Sequence, residues 1–205
     1  MMNVEVFRSW LRRANEKIQE NKDYLSELDR AIGDGDHGIN LSRGFEEVIK
    51  KLEAVDTTDI GALLQQTAMT LISKVGGASG PLYGTAFLKA ATVLKGKEAV
   101  THQECAEAFN ASLEGLKQRG KAAIGDKTMI DVWEPVVSKW LTEQGVYDAL
   151  IELTEQSMEA TKDLEAKKGR AAYLGKRSVG TLDPGAVSSA LILTALFYEI
   201  KGAES

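Results

Sequence analysis

With 205 residues, 43% of them hydrophobic, the chain can bury one substantial core, and nothing in it demands a second domain, so residues 1–205 read as a single domain. The formal charge of −5 argues against a nucleic-acid-binding or anionic-membrane surface and points to proteins and small molecules as partners. A lone cysteine, Cys105, excludes an internal disulfide; residues 1–7 lack a basic stretch followed by an apolar run, and no later segment reaches membrane-spanning length without charge, so a cytoplasmic protein is expected.

The periodicity is helical almost throughout. Phe7, Trp10, Leu11, Ala14, Ile18, Leu25 and Leu28 recur at spacings of three, four and seven, which predicts one helix running to about Asp29. There follows Leu28-Asp29-Arg30-Ala31-Ile32-Gly33-Asp34-Gly35-Asp36-His37-Gly38-Ile39-Asn40, in which Asp29, Asp34 and Asp36 are interleaved with glycines. Asp29 sits where the negative end of a helix dipole already disfavours an anion, and Asp34 and Asp36, two apart in a bent segment, can point the same way. Such a cluster needs positive charge from outside. Carboxylates without a neighbouring thiol suit a hard ion, and a few carboxylates plus substrate phosphates are the usual way of holding Mg²⁺. An ordinary turn requires one Asp and one Gly, not three of each. Two motif matches here fail on context: Gly33-x-Gly35-x-x-Gly38 lacks the strand that a dinucleotide fingerprint requires, and the calcium-loop pattern puts Gly38 in place of an oxygen ligand and Phe45 in place of the closing Glu.

A second helix carries Leu41, Phe45, Val48, Ile49 and Leu52 inward; Asp56-Thr57-Thr58-Asp59 supplies a turn and a cap for a third, through Leu63, Leu64, Ala68 and Leu71. Gly76-Gly77-Ala78-Ser79-Gly80-Pro81 ends it. The fourth helix runs through Leu82, Ala86, Leu88 and Ala91 to Gly96, and Thr101 caps a fifth, which buries Cys105 and has His102 at its exposed start. The sixth carries Met129, Val132, Trp133, Val136, Val137 and Trp140, with Pro135 predicting a kink or a restart. A seventh is expected from Val146 to about Lys168, closed by Gly169, then a loop over residues 170–186 and a last helix from Val187 through Ile200. The reading is all-α: eight helices and no convincing strand.

In an up-and-down bundle every second loop falls at the same end. The unusual loops obey that alternation: the Asp cluster, residues 76–81, residues 120–128 and residues 169–186 should meet, while the junctions near Asp56, Gly96 and Gly145 are short and plain. Glycine loops opening onto helix starts, as in Gly77-Ala78-Ser79-Gly80 and Gly38-Ile39-Asn40, offer free N–H groups to an anion. Arg170 and Arg177 add positive charge and Asp183-Pro184-Gly185 a rigid cap. His37 can donate to a phosphate, act as a base or hydrogen-bond loop backbone. Residues 115–122 match a P-loop only through Lys121, with Ala122 where Ser or Thr would bind Mg²⁺ and no preceding strand.

Taken in order, Gly33-Asp34-Gly35-Asp36-His37-Gly38, Gly76-Gly77-Ala78-Ser79-Gly80-Pro81-Leu82-Tyr83-Gly84, Gly125-Asp126-Lys127-Thr128-Met129 and Gly169-Arg170-Ala171-Ala172-Tyr173-Leu174-Gly175 leading to Asp183-Pro184-Gly185-Ala186 span nearly the whole chain. In these motifs the chain resembles the ADP-binding L subunits of dihydroxyacetone kinase, the DhaL family. The resemblance implies an eight-helix antiparallel up-and-down barrel with the nucleotide at one end. It implies that Asp29, Asp34 and Asp36 hold two Mg²⁺ ions bridging the nucleotide phosphates. His37, Gly38, Ile39 and Asn40 with Ala78 and Ser79 correspond to phosphate-contacting segments, and Gly120, Met129, Arg170, Asp183, Pro184 and Gly185 to the rest of the pocket. The expected activity is that of a kinase subunit. ADP stays bound as a cofactor, becomes ATP by accepting a phosphoryl group from a phosphohistidine of a phosphotransferase-system M subunit, and passes it to dihydroxyacetone on a K subunit. A nucleotide-dependent regulatory module, or a subunit serving another small ketose or a fatty acid, are the alternatives.

Overall fold

The computed structural model describes residues 1–203. Among them are nine α-helices: α1 (Val4–Glu20), α2 (Lys22–Ile32), α3 (His37–Glu53), α4 (Ile60–Lys74), α5 (Ser79–Val93), α6 (His102–Gly120), α7 (Ile130–Thr142), α8 (Tyr147–Ala160) and α9 (Pro184–Gly202). Two 3-10 segments, Thr161–Asp163 and Arg170–Ser178, lie between α8 and α9. The expectation of no strand is corrected by one two-residue antiparallel pair, β1 (Met2–Asn3) with β2 (Ala99–Val100), which ties the start of the chain to the turn before α6.

The helix expected as one piece to Asp29 is two, broken at Asn21. The Asn21 side-chain amide donates to the Lys17 carbonyl at 2.8 Å, and its backbone N–H turns to the same carbonyl at 3.1 Å, which closes α1; α2 then continues past Asp29 to Ile32. Such local side-chain bonds compete with the helix ladder. Three further boundaries differ from expectation. α8 stops at Ala160 rather than near Lys168, α9 begins at Pro184 rather than Val187, and α7 starts at Ile130 and runs through Pro135 without restarting. Proline fits the first position of α9, where its missing N–H has no helical partner anyway. Asp183 caps that helix, its Oδ2 accepting the Ala186 N–H at 2.7 Å. Thr101 and Glu104 form a reciprocal capping box on α6. His102, expected on the surface, is half-buried, its Nδ1 hydrogen-bonded to the Tyr147 hydroxyl.

Each helix packs on its successor, and α9 returns to pack on α1; α1 and α2 both lie against α3 and α9 and so act as one broken rod in a closed cycle. A single apolar cluster fills the middle. Its centre is aromatic: Trp10 stacks on Phe87 at 5.4 Å, Phe109 on Trp133 at 5.8 Å, and Trp140 meets Phe197 edge-on at 5.0 Å. Aromatic pairs of this kind contribute ~0.5–1.5 kcal/mol each beyond the area they bury. The cycle thus holds four loops, α2–α3, α4–α5, α6–α7 and α8–α9, around a rigid centre.

Candidate functional site

The loop from α2 to α3 is pinned by Asp29. Its Oδ2 accepts the backbone N–H groups of Asp36 at 2.9 Å and His37 at 3.1 Å, the unpaired donors at the start of α3. Any side chain at Gly33 would collide with Asp29 Oδ1, so glycine is required for the chain to fold back over that carboxylate. Asp34 and Asp36 stand exposed beside it, and one oxygen of each of the three carboxylates lies within 4.8 Å of the others. Arg170 Nη1 reaches Asp34 Oδ2 at 2.7 Å, but Arg170 is 67% exposed and a pair so solvated contributes little. The donor set fits a hard divalent cation: all oxygen, three negative charges, two of them open to solvent and to a ligand's phosphates.

His37 is buried between α5 and α9. Nδ1 lies 2.9 Å from Ser79 Oγ on α5, and Nε2 2.9 Å from Ser188 Oγ on α9. Neither ring nitrogen bonds loop backbone, and both are already engaged. Burial lowers the His37 pKa against the opposing pull of Asp29, Asp36 and Asp34.

One cavity collects all four loops. It is lined by Asp29, Asp34, Asp36 and His37 from the first; by Gly76, Gly77, Ala78 and Ser79 from the second; by Lys127, Thr128 and Met129 from the third; and by Lys168, Gly169, Arg170, Asp183, Pro184 and Gly185 from the fourth. An adjoining cavity of about 440 Å³ shares Ala78, Leu82, Thr128, Met129, Lys168 and Gly169 and is otherwise apolar, walled by Pro81, Leu116, Ala122 and Ile130, with Gly120 and Arg119 at its edge. A charged chamber therefore opens into an apolar one.

Four of the residues singled out in the sequence lie outside both linings. Gly38 is buried where a Cβ would strike the Lys22 carbonyl oxygen, so it lets the start of α3 close on the start of α2. Ile39 is exposed. Asn40 is buried behind the cavity against Gly76, its Oδ1 accepting from Arg43 Nη2 at 2.9 Å. Arg177 is exposed and lines neither chamber.

Lys127 had no assigned role beyond its place in a motif. It is fully buried at a positive φ of 61°, and its Nζ donates to the carbonyls of Thr161 (2.7 Å), Leu164 (3.0 Å) and Thr181 (2.6 Å). Burial lowers its pKa, opposed by Asp183, Asp163 and Asp131. Asp131 orders the same turn by accepting from Gly125 N–H at 2.6 Å and Thr128 N–H at 2.7 Å. Asp183, half-buried in the cavity wall, has its carboxyl pushed up to about 7 by desolvation, with the α9 N–H groups pulling the other way.

Residues 31–198 match the model of the DAK2 domain. The chain belongs to the DAK2 domain family. Within it the chain is similar to the PEP-dependent dihydroxyacetone kinase 1, ADP-binding subunit DhaL, of Listeria innocua, at 49% identity over 187 residues, 91% of this chain and 92% of the relative. It is also similar to the PTS-dependent dihydroxyacetone kinase, ADP-binding subunit DhaL, of Lactococcus lactis, at 46% identity over 96% of this chain and 97% of the relative. The fold is that of part of the dihydroxyacetone kinase of C. freundii, whose native crystal structure matches with a TM-score of 0.77 at 23% identity, covering 99% of this chain and 35% of that one. A DAK2 domain in this chain thus corresponds to about a third of that larger kinase.

Proposed function

We propose that this chain is the nucleotide-holding subunit of a phosphotransferase-system-dependent dihydroxyacetone kinase. The observation that carries the reading is the meeting of the three-carboxylate cluster with an apolar chamber at one end of the helical cycle, in a chain nearly half identical over its length to ADP-binding DhaL subunits. Asp29, Asp34 and Asp36 would hold two Mg²⁺ ions, which, when bound, neutralise phosphate charge during transfer. The α5 start, at Ala78 and Ser79, offers helix N–H groups to a phosphate oxygen, and Arg170 is close enough to Asp34 to take part in the same charge balance. Leu82, Leu116, Met129 and Ile130 suit the flat apolar faces of a nucleobase, and Asp183 to Gly185 form part of the wall of the charged chamber.

Positioning and charge neutralisation are most of what phosphoryl transfer asks of the nucleotide side. Activation of the ketose alcohol then falls to a K subunit, and the phosphoryl group comes from a phosphohistidine of an M subunit, with ADP retained between turnovers. A cytoplasmic setting accords with those partners; among the described residues no helix is long and apolar enough to cross a membrane. With a K subunit and phosphorylated M subunit, transfer to dihydroxyacetone is expected to fall at least a hundredfold in Asp34→Ala. Unchanged turnover in that variant would defeat the metal assignment.

A further inference from the structure

Behind His37 a file of polar side chains runs from the cavity wall into the core, joining α5, α3, α9 and α7. Ser79 Oγ meets His37 Nδ1 and Ser188 Oγ meets His37 Nε2, each at 2.9 Å; Tyr83 Oη lies 2.6 Å from Ser188 Oγ and 3.0 Å from Ser189 Oγ; and Trp133 Nε1 donates to Ser189 Oγ at 3.0 Å. Tyr83, Ser188 and Ser189 are wholly buried. Buried hydroxyls this far from water must find partners among themselves, so counting donors fixes the start of the file and contact length settles the two forks along it.

The indole N–H only donates, so Ser189 accepts from Trp133. Among the described residues the sole other partner of Ser189 Oγ is Tyr83 Oη, so the Ser189 proton goes to Tyr83. Tyr83 must then spend its own proton elsewhere: on Ser188 Oγ at 2.6 Å or on the Gly185 carbonyl at 3.4 Å, and the shorter contact wins. Ser188, having accepted from Tyr83, faces a similar fork between His37 Nε2 at 2.9 Å and the Gly185 carbonyl at 3.2 Å. Donation to Nε2 makes that nitrogen an acceptor and leaves the ring proton on Nδ1, which donates to Ser79 Oγ; the Ser79 hydroxyl hydrogen is then left to the cavity that Ser79 lines.

We propose that Tyr83 and Ser188 are positioning residues that set His37 as its Nδ1–H tautomer and so hold the Ser79 hydroxyl as a hydrogen-bond donor to a phosphate oxygen in the cavity. The opposite arrangement would have Ser79 donate to Nδ1 and turn its lone pairs toward the anion, which repels them. The phosphate half of the inference rests on the functional reading above, whereas the tautomer half stands on the hydrogen-bond file alone.

The test is ¹⁵N nuclear magnetic resonance of the two histidines in the full chain at neutral pH without metal or nucleotide, with His102→Gln used for assignment. Wild type is expected to show a protonated Nδ1 and an acceptor Nε2 on His37. In Tyr83→Phe, Ser188 loses its incoming donor; it then accepts from His37 and donates to Gly185, so the ring shifts to Nε2–H. Ser188→Ala takes away the only partner of Nε2 among the described residues, so the fixed Nδ1–H preference is expected to give way to a mixture of both tautomers should Tyr83→Phe fail to fold. Calorimetric titration with Mg-ADP is expected to show affinity reduced about tenfold in either variant, ~1.4 kcal/mol. A wild-type ring protonated on Nε2, or an unchanged tautomer in both variants, would overturn the file's proposed direction. Tautomer exchange with unchanged Mg-ADP affinity would overturn the role of Ser79. A wild-type chain that binds no Mg-ADP at all would instead overturn the functional reading, and with it the phosphate half, while the tautomer result still decides the other half.

Discussion

Asp183 does two jobs that pull its chemistry apart. It caps α9, which favours the carboxylate, and it sits half-buried in the cavity wall near Asp131, which favours the acid; desolvation wins, and its carboxyl is pushed up to about 7. A group that holds its proton more tightly folded than unfolded stabilises the fold below its unfolded value of about 4, and that contribution is lost as pH rises toward about 7. Asp183→Asn keeps a capping oxygen and removes the titration. Stability measured by urea unfolding should therefore fall with pH between about 4 and 7 more steeply in wild type than in the variant, by up to about 4 kcal/mol over that window. Parallel pH profiles would contradict the assignment. Gly38 gives a second case at this scale. Alanine would ordinarily help a helix by up to ~1 kcal/mol, but its Cβ would meet the Lys22 carbonyl oxygen. Gly38→Ala is expected to cost ~1–3 kcal/mol of unfolding free energy, as overpacked sites do. A neutral or stabilised variant would show that the two helix starts can part freely.

At the scale of elements, Lys127 fastens three stretches of chain that carry no strong local structure: the end of α8, the segment near Leu164 and the approach to α9. Lys127→Met leaves one buried and two part-buried carbonyls without their donor and should lower stability by about 3 kcal/mol, read as a drop in the urea midpoint. Loss of only a few tenths would mean that water replaces the ammonium. The same residue explains a boundary that the sequence does not reveal. From Val146 to Gly169 no local breaker appears, yet α8 stops at Ala160, where the Thr161 hydroxyl turns back to the Met158 carbonyl at 2.7 Å and the Thr161 carbonyl is taken by Lys127. That contact comes from 34 residues away, beyond any window of periodicity. The break at Asn21 is hidden for a different reason: Ile18 and Leu25 are seven apart and both buried, so the apolar face continues across it. The caps Asp59 and Thr101 were plain by contrast, because each acts within three residues of itself; the equally local cap at Asp183 was hidden because residues 170–186 read as one loop. The meeting of four loops was also legible, since alternation of ends needs only the number of helices between them. The bonds of His37 to Ser188 and the burial of Lys127 were not, since neither leaves a trace in local spacing.

Over the whole molecule, the closed cycle of helices does for the four loops what none does for itself. It brings carboxylates from the α2–α3 loop, helix N–H groups from the start of α5 and the wall residues of α6–α7 and α8–α9 to a single end, with an aromatic centre behind them. Acidic side chains and an apolar chamber side by side are of little use to a protein with no ligand, but they match the two ends of a nucleoside diphosphate carrying divalent metal. The most direct measurement is native mass spectrometry of the chain purified in Mg²⁺ without added nucleotide, then again after incubation with saturating Mg-ADP. A mass above that of the bare chain by one ADP and two Mg²⁺ ions, lost in Asp34→Ala, is expected; a wild-type chain that stays at its bare mass even with Mg-ADP in excess would show that the paired chambers hold no metal-bound nucleotide.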